Sequence, residues 1–205
     1  MGRKRRSRDL AATRKEILDM TFRLVFERGF QGVSIDDIVA ETSLTKGALY
    51  HQFPTKNDLG YALVDEVIKP MVISRWIDPV AASENPVEAV LKNLRLLIGR
   101  APPAQLALGC PLNNLVQEMA PLDEGFRVRL QAALQLWIDS MTLELARARK
   151  LGFIRADVNV RQVAIFVVMA HEGFYGMLKG LREPKAFEAL YASLKTYFEG
   201  IAGNV

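Results

Sequence analysis

At 205 residues the chain is long enough to bury a substantial core, and with 50% apolar and 24% charged residues it has ordinary globular composition, which excludes global disorder. Its one cysteine, Cys110, excludes an internal disulfide, and its two distant histidines, His51 and His171, exclude zinc-type ligand spacing. The net charge of +4 is uneven: Arg3, Lys4, Arg5, Arg6 and Arg8 lie in the first eight residues, whereas residues 9–60 carry six Lys/Arg against eight Asp/Glu. Nucleic-acid binding by this region must therefore rest on geometry and not on bulk charge.

Residues 1–9 read as a basic, unordered arm, either simply solvated or reaching phosphates and the minor groove. Beyond it, apolar residues recur at three- and four-residue steps, with no period-two alternation, so the fold is expected to be all-α. A first helix is predicted from about Leu10 to Arg28, with Ile17, Met20, Thr21, Leu24 and Val25 as its apolar stripe and Gly29 at its C′ position. Ser34 is an N-cap candidate with Asp37 in the capping-box place, predicting a short helix that stops near Thr42. Thr45 caps a third helix through Gln52, which Phe53-Pro54 ends. Thr55, with Asp58 at N3, caps a fourth, ending near Lys69 before Pro70.

Four further blocks are predicted, at roughly Pro86–Arg100, Leu106–Met119, Asp123–Lys150 and Val160–Leu181. A last helix is expected from Pro184 to about Ile201. The sum is an N-terminal three-helix helix-turn-helix head, residues 10–55, and a larger helical body, residues 56–205, with about nine helices in all. No run of about 18 apolar residues exists, and the basic start leads into a charged helical pattern instead of a signal-peptide core, so no membrane partner and a cytoplasmic location are expected.

Within the head, Leu49 and Phe53 form an i,i+4 pair that should anchor the third helix to Ile38 and Val25, leaving Lys46, Gly47, Tyr50 and His51 outward. Gly47 inside a helix costs about 0.5–1 kcal/mol relative to alanine, a cost that close approach of DNA would explain. Ser34 and Thr45 are suited equally to plain capping and to offering hydroxyls and amides to phosphates.

The run from Ser34 to Phe53, SIDDIVAETSLTKGALYHQF, with Phe30 before it and Lys56 after it, resembles the DNA-binding head of the TetR/AcrR family of transcriptional regulators. The resemblance covers residues 13–63 closely. It implies that Thr45, Lys46, Tyr50 and His51 meet double-stranded operator DNA, with Tyr50 and Lys56 on phosphates and Lys46 and Gly47 near base edges. Ser43, where the family often has glycine, and Gln52, where a second histidine or other polar residue is common, depart from the pattern.

One such head reads too few base pairs for genomic specificity, so a two-fold homodimer on a near-palindromic site is expected. The final two helices carry surplus apolar residues for it, namely Phe166, Ala170, Gly173, Phe174, Met177, Leu190, Leu194 and Tyr197, with Gly173 and Gly176 allowing either close helix approach or a bend. The resemblance also implies repression relieved by a small-molecule effector bound in the body. Polar interruptions of apolar faces supply the candidates: Cys110, Asn113, Asn114 and Gln117 on one helix, Trp137 and Met141 on another, His171 and Tyr175 on a third. The apolar stripe Phe126, Leu130, Leu134, Trp137, Met141 favours an uncharged or weakly polar effector. His171 and Glu172, about 100° apart on a helix, are not expected to pair side by side.

No cofactor or metal is expected, and no Gly-rich phosphate loop, nucleophile elbow or Cys–His couple suggests an enzyme. The competing non-enzymatic reading is a structural DNA binder that works through its basic arm.

Overall fold

The computed structural model describes residues 2–99, 101–181, 183 and 186–203, without the side chains of residues 2–9, 98 and 103. The cations of the basic arm and Pro184 therefore lie outside the described residues. Among the described ones every regular element is a helix, and extended pairing is limited to an isolated bridge between Ile154 and Ala202.

In chain order the elements are α1 (Gly2–Arg28), α2 (Ile35–Ala40), α3 (Lys46–Gln52) and α4 (Lys56–Leu63). A π-helical turn (Val64–Ile68), α5 (Lys69–Val72), a second π turn (Ile73–Ile77) and α6 (Asp78–Ala81) follow. Then come α7 (Pro86–Gly99), α8 (Pro103–Leu108), α9 (Pro111–Met119), α10 (Glu124–Lys150), α11 (Val160–Leu181) and α12 (Ala186–Gly200).

Three features differ from the sequence expectation. The first helix starts at Gly2 instead of Leu10, so residues 2–9 are helical backbone and not an unordered arm; arginine and lysine are good helix formers, and no proline interrupts the run. The block expected at 106–119 is two helices, because Gly109 takes a positive φ of 84° between them.

Helical turns also continue past Pro70 to Ala81. A proline cannot donate, and its ring crowds the carbonyl four residues back. Ahead of Pro70 the Lys69 N–H reaches the Val64 carbonyl, and ahead of Pro79 the Asp78 N–H reaches that of Ile73. Each wider turn makes room where an α turn would clash.

Pro79 cannot serve the carbonyl of Arg75, which accepts instead the side-chain amide of Asn93, itself only 8% exposed. Asn93→Ala is expected to lower stability by about 1–3 kcal/mol, since a shielded carbonyl loses its donor. The check is a lowered urea midpoint at unchanged slope.

The chain divides into two compact units, one containing residues up to Pro70 together with Asn114–Leu130, the other Met71–Asn113 with residues from Gln131 onward. This division differs from a cut at 55/56. The first unit reclaims part of α9 and the start of α10 because those turns complete its core.

Phe126 is fully buried there, edge-on to Phe30 at 4.8 Å and to Tyr61 at 5.2 Å. Gly60 faces it, and a Cβ at that position would stand 2.4 Å from Phe126 Cζ. At the end of α1, Gly29 has φ 79°, and the Glu118 carboxylate accepts the N–H groups of Phe30 at 2.9 Å and Gln31 at 2.8 Å. In the second unit, Val90, Leu94, Leu112, Trp137, Leu145 and Val167 are buried among the core. Arg147 there donates to the carbonyls of Val80 and Ser83 at 3.2 and 2.8 Å, closing the end of α6.

Candidate functional site

In the first unit, α2 and α3 are shaped by their caps. Ser34 Oγ accepts from the Asp37 N–H at 3.1 Å, while the Asp37 carboxylate accepts the Ser34 N–H at 2.7 Å. The hydroxyl and amide of Ser34 hold the Asp37 carboxyl below its usual range. Thr45 Oγ1 accepts the Ala48 N–H at 3.2 Å, and Thr55 with Asp58 repeats the full box. Between the helices the Leu44 N–H reaches Thr42 Oγ1 at 3.4 Å, and Ser43 Oγ donates to Glu16 at 3.3 Å.

The inner side of α3 is fastened at few points. Leu49 is its one buried residue, with buried Phe53 just beyond its end. Gln52 does not point outward: its amide donates to the Leu10 carbonyl at 3.3 Å, tying α3 to α1. The Arg14 guanidinium lies 4.3 Å from the centre of the Phe53 ring and grips both carboxylate oxygens of Glu66 at 2.6 and 3.0 Å.

Thr45, Lys46, Gly47, Tyr50 and His51 are all exposed, as is Ser34 on the neighbouring cap. Tyr50 keeps 47% of its surface in solvent, a large value for an aromatic side chain. A Cβ added at Gly47 would meet only Thr45 Oγ1, at 3.8 Å, so nothing within the chain demands glycine there. Lys46 forms an ion pair with Asp36 of α2, and that carboxylate raises its pKa. Lys56 differs from the rest: it is half-buried, its ammonium sits 4.6 Å from the centre of the Phe30 ring, and burial lowers its pKa.

In the second unit, four rings from different helical turns meet. Trp76 lies 5.1 Å from Trp137 and 4.5 Å from His171, with Trp137 5.1 Å and Tyr175 4.9 Å from the same imidazole. Glu172 joins them through Oε1, which is 3.0 Å from His171 Nδ1 and accepts from the Cys110 thiol at 3.4 Å. Asn113 donates to the Glu172 backbone carbonyl at 3.1 Å.

His171 and Glu172 therefore do pair, contrary to the expectation from their 100° separation, because the long glutamate side chain curls back along the helix. Burial and the Glu172 charge push the Cys110 thiol far above its ordinary range, which removes thiolate chemistry. Burial raises Tyr175 to about 12, so it stays a phenol.

Two buried polar atoms, Trp137 Nε1 and Glu172 Oε2, have no hydrogen-bond partner among the described residues. Cys110, Asn113, Trp137, His171 and Tyr175 are thus brought together. Met141 is buried, and Asn114 and Gln117 fall in the first unit, with Gln117 facing solvent. Trp76 and Glu172 were missed as candidates; with only two tryptophans in the chain, the pairing of Trp76 with Trp137 was the available signal.

On α11, Phe166, Met169, Gly173, Gly176, Met177 and Gly180 form one exposed row, with Ala170 half-buried beside it. Phe166 and Met177 leave 43% and 62% of their surface uncovered, and added Cβ atoms at Gly173 and Gly180 would meet nothing within 4 Å. The Phe166 ring lies 4.6 Å from that of Tyr197 on α12, where Leu190 is also half-buried. Phe174 and Leu194 are corrections: they are 6% and 1% exposed, filled into the protomer's own core and unable to serve an interface.

Comparison with known proteins places this architecture among DNA-binding regulators. Residues 17–63 match the family described as bacterial regulatory proteins, tetR family, and residues 88–194 match the tetracyclin repressor-like C-terminal domain. An uncharacterized HTH-type transcriptional regulator from the lacX 3' region of Lactococcus lactis subsp. lactis is 28% identical over 94% of this chain and 96% of its own. The HTH-type transcriptional repressor DhaR of Mycobacterium sp. (strain GP1) is 23% identical over 78% of this chain and 79% of its own. A TetR-family transcriptional regulator of Cytophaga hutchinsonii superposes with a TM-score of 0.86 at 22% identity, covering 96% of this chain and 98% of that one.

The chain belongs to the TetR family of transcriptional regulators and is not an enzyme. Among the described residues no helix is long and apolar enough to cross a membrane.

Proposed function

We propose that the protein is a cytoplasmic repressor that grips a near-palindromic operator as a homodimer and releases it when a small, largely apolar effector enters the second unit. The observation that carries the DNA side is the outward row of Lys46, Gly47, Tyr50 and His51 on a helix held inward by Leu49. Exposed donors on a short helix braced by a second one suit insertion into the major groove, where base edges are distinguishable. Thr45 and Ser34, at the two N-caps, flank that row as phosphate neighbours. Gly47 would let the backbone come close, and Lys46 would exchange Asp36 for a phosphate or a base edge. Lys56 would reach a phosphate from over the Phe30 ring.

The dimer reading is supported by the apolar, glycine-lined row on α11 together with Leu190 and Tyr197 of α12. The effector reading is supported by the aromatic and polar cluster around His171. Repression agrees with the naming of the relative DhaR as a transcriptional repressor.

The test is fluorescence anisotropy against duplexes tiled across the DNA flanking the gene, with scrambled controls at near-physiological salt. Tight, sequence-dependent binding is expected. Tyr50→Ala and Lys46→Ala should each weaken it by roughly 1–3 kcal/mol with the dimer intact. Unchanged affinity in both variants would remove α3 from the DNA, and binding indifferent to sequence would leave a structural DNA binder.

A further inference from the structure

We propose that the cluster around Glu172 recognises a small amine, a protonated nitrogen with at least one N–H carried on an apolar body. The nitrogen would be held between the Glu172 carboxylate and the rings of Trp76, Trp137, His171 and Tyr175. This deepens the reading of the second unit as an effector-binding body and rests on it.

The case starts from two unmet needs. Glu172 Oε1 has the His171 ring nitrogen and the Cys110 thiol, yet the shielded Oε2 has no donor among the described residues. A carboxylate oxygen kept from water without a donor is unfavourable, which makes it a site for a donor brought from outside the chain. Trp137 is 1% exposed, and its indole N–H is likewise without an acceptor. It offers a handle for an oxygen or ring face on the body of the same molecule.

Charge then selects among possible donors. Among the described residues neither lysine nor arginine forms an ion pair with Glu172, although the Arg75 charge reaches Tyr175, and the thiol and phenol beside the carboxylate stay neutral. Aromatic faces carry partial negative charge and attract cations, and here Trp76 and Trp137 lie 4.5 and 5.1 Å from the imidazole that the Glu172 carboxylate touches. A hydroxyl would supply the hydrogen bond alone; an ammonium supplies the hydrogen bond, the charge pairing and the ring attraction together.

Cys110, Asn113, Glu172 and Tyr175 each keep part of their surface in solvent, so the cluster is not covered on every side. Gly109, with its φ of 84°, turns the chain into Cys110, and the Asn113 bond to the Glu172 carbonyl holds the start of α9 against α11.

The experiment is direct, since Trp76 and Trp137 are the two tryptophans of the sequence and both lie in the cluster. The full-length protein is titrated with hexylamine, 2-phenylethylamine and 4-phenylbutylamine, each beside its matching alcohol, and tryptophan emission is read with excitation near the red edge. At least one amine is expected to saturate with a Kd at least about ten-fold below that of its own alcohol. Glu172→Gln, checked for native helicity, should erase that preference, while Trp137→Phe, which keeps a ring, should retain it.

Saturation by none of the amines, equal binding of amine and alcohol by the unaltered protein, or a folded Glu172→Gln variant that keeps the preference would each overturn the proposal. Because the readout needs no DNA, its failure beside sequence-specific operator binding would sink only the amine. Amine binding without any operator would instead sink the proposed operator-binding role of α3.

Discussion

Gly173→Arg is expected to turn the protein into a folded monomer with its operator affinity reduced by about 100-fold or more. Gly173 lies in the exposed row of α11, and nothing stands within 4 Å of the Cβ it lacks. Within one protomer an arginine there extends into solvent and even improves helix propensity by about 1 kcal/mol. Across a two-fold axis the same substitution places two cations against each other on an apolar face, where each would lose its hydration. On the proposed near-palindromic operator a head without its twin binds a single half-site, which forfeits the gain from simultaneous engagement. Sedimentation should show the monomer and circular dichroism an unchanged helix content. A dimer persisting at micromolar concentration would place the interface elsewhere.

Phe126→Ala is expected to lower stability by about 3–5 kcal/mol, a large share of the roughly 5–15 kcal/mol that holds a typical domain. The side chain is wholly buried, and the rings of Phe30 and Tyr61 stand edge-on to it. Gly60 opposes it and has no side chain with which to close the resulting void. Phe30 follows the end of α1 and Tyr61 lies in α4, so both walls of the void belong to the elements around the helix-turn-helix. Denaturant unfolding measures the loss, and a shift of under about 1 kcal/mol would mean that the first unit repacks without the start of α10.

Much of the head was legible because its signals are short-range. Ser34 with Asp37, Thr45, Thr55 with Asp58, and Gly29 each act within four residues, and each forms the cap or turn its spacing foretold. Pro70 misled the reading of the fourth helix, because a proline's cost was counted without the π turn that absorbs it. On α11 the row was found but drawn too wide. Phe174 is one residue, and so about 100°, from Gly173, enough to carry it from the surface into the core.

The cluster around Glu172 was legible only in part, for a different reason. His171 and Tyr175 share a helix face one turn apart, a pattern that local periodicity reports. Trp76 meets His171 from a segment nearly a hundred residues earlier, and no local period carries that information. The His171–Glu172 pair was rejected on backbone angle alone, which neglects the reach of a glutamate side chain.

The light anchoring of α3 bears on how such a protein diversifies. Of its seven residues one is buried, while Lys46, Gly47, Tyr50 and His51 are exposed. Substitutions at those four positions are therefore nearly neutral for folding, and a duplicated gene can drift toward a new operator without passing through unstable intermediates. Leu49 and Phe53 lack that freedom, so the lineage keeps its scaffold while its vocabulary of DNA sequences changes.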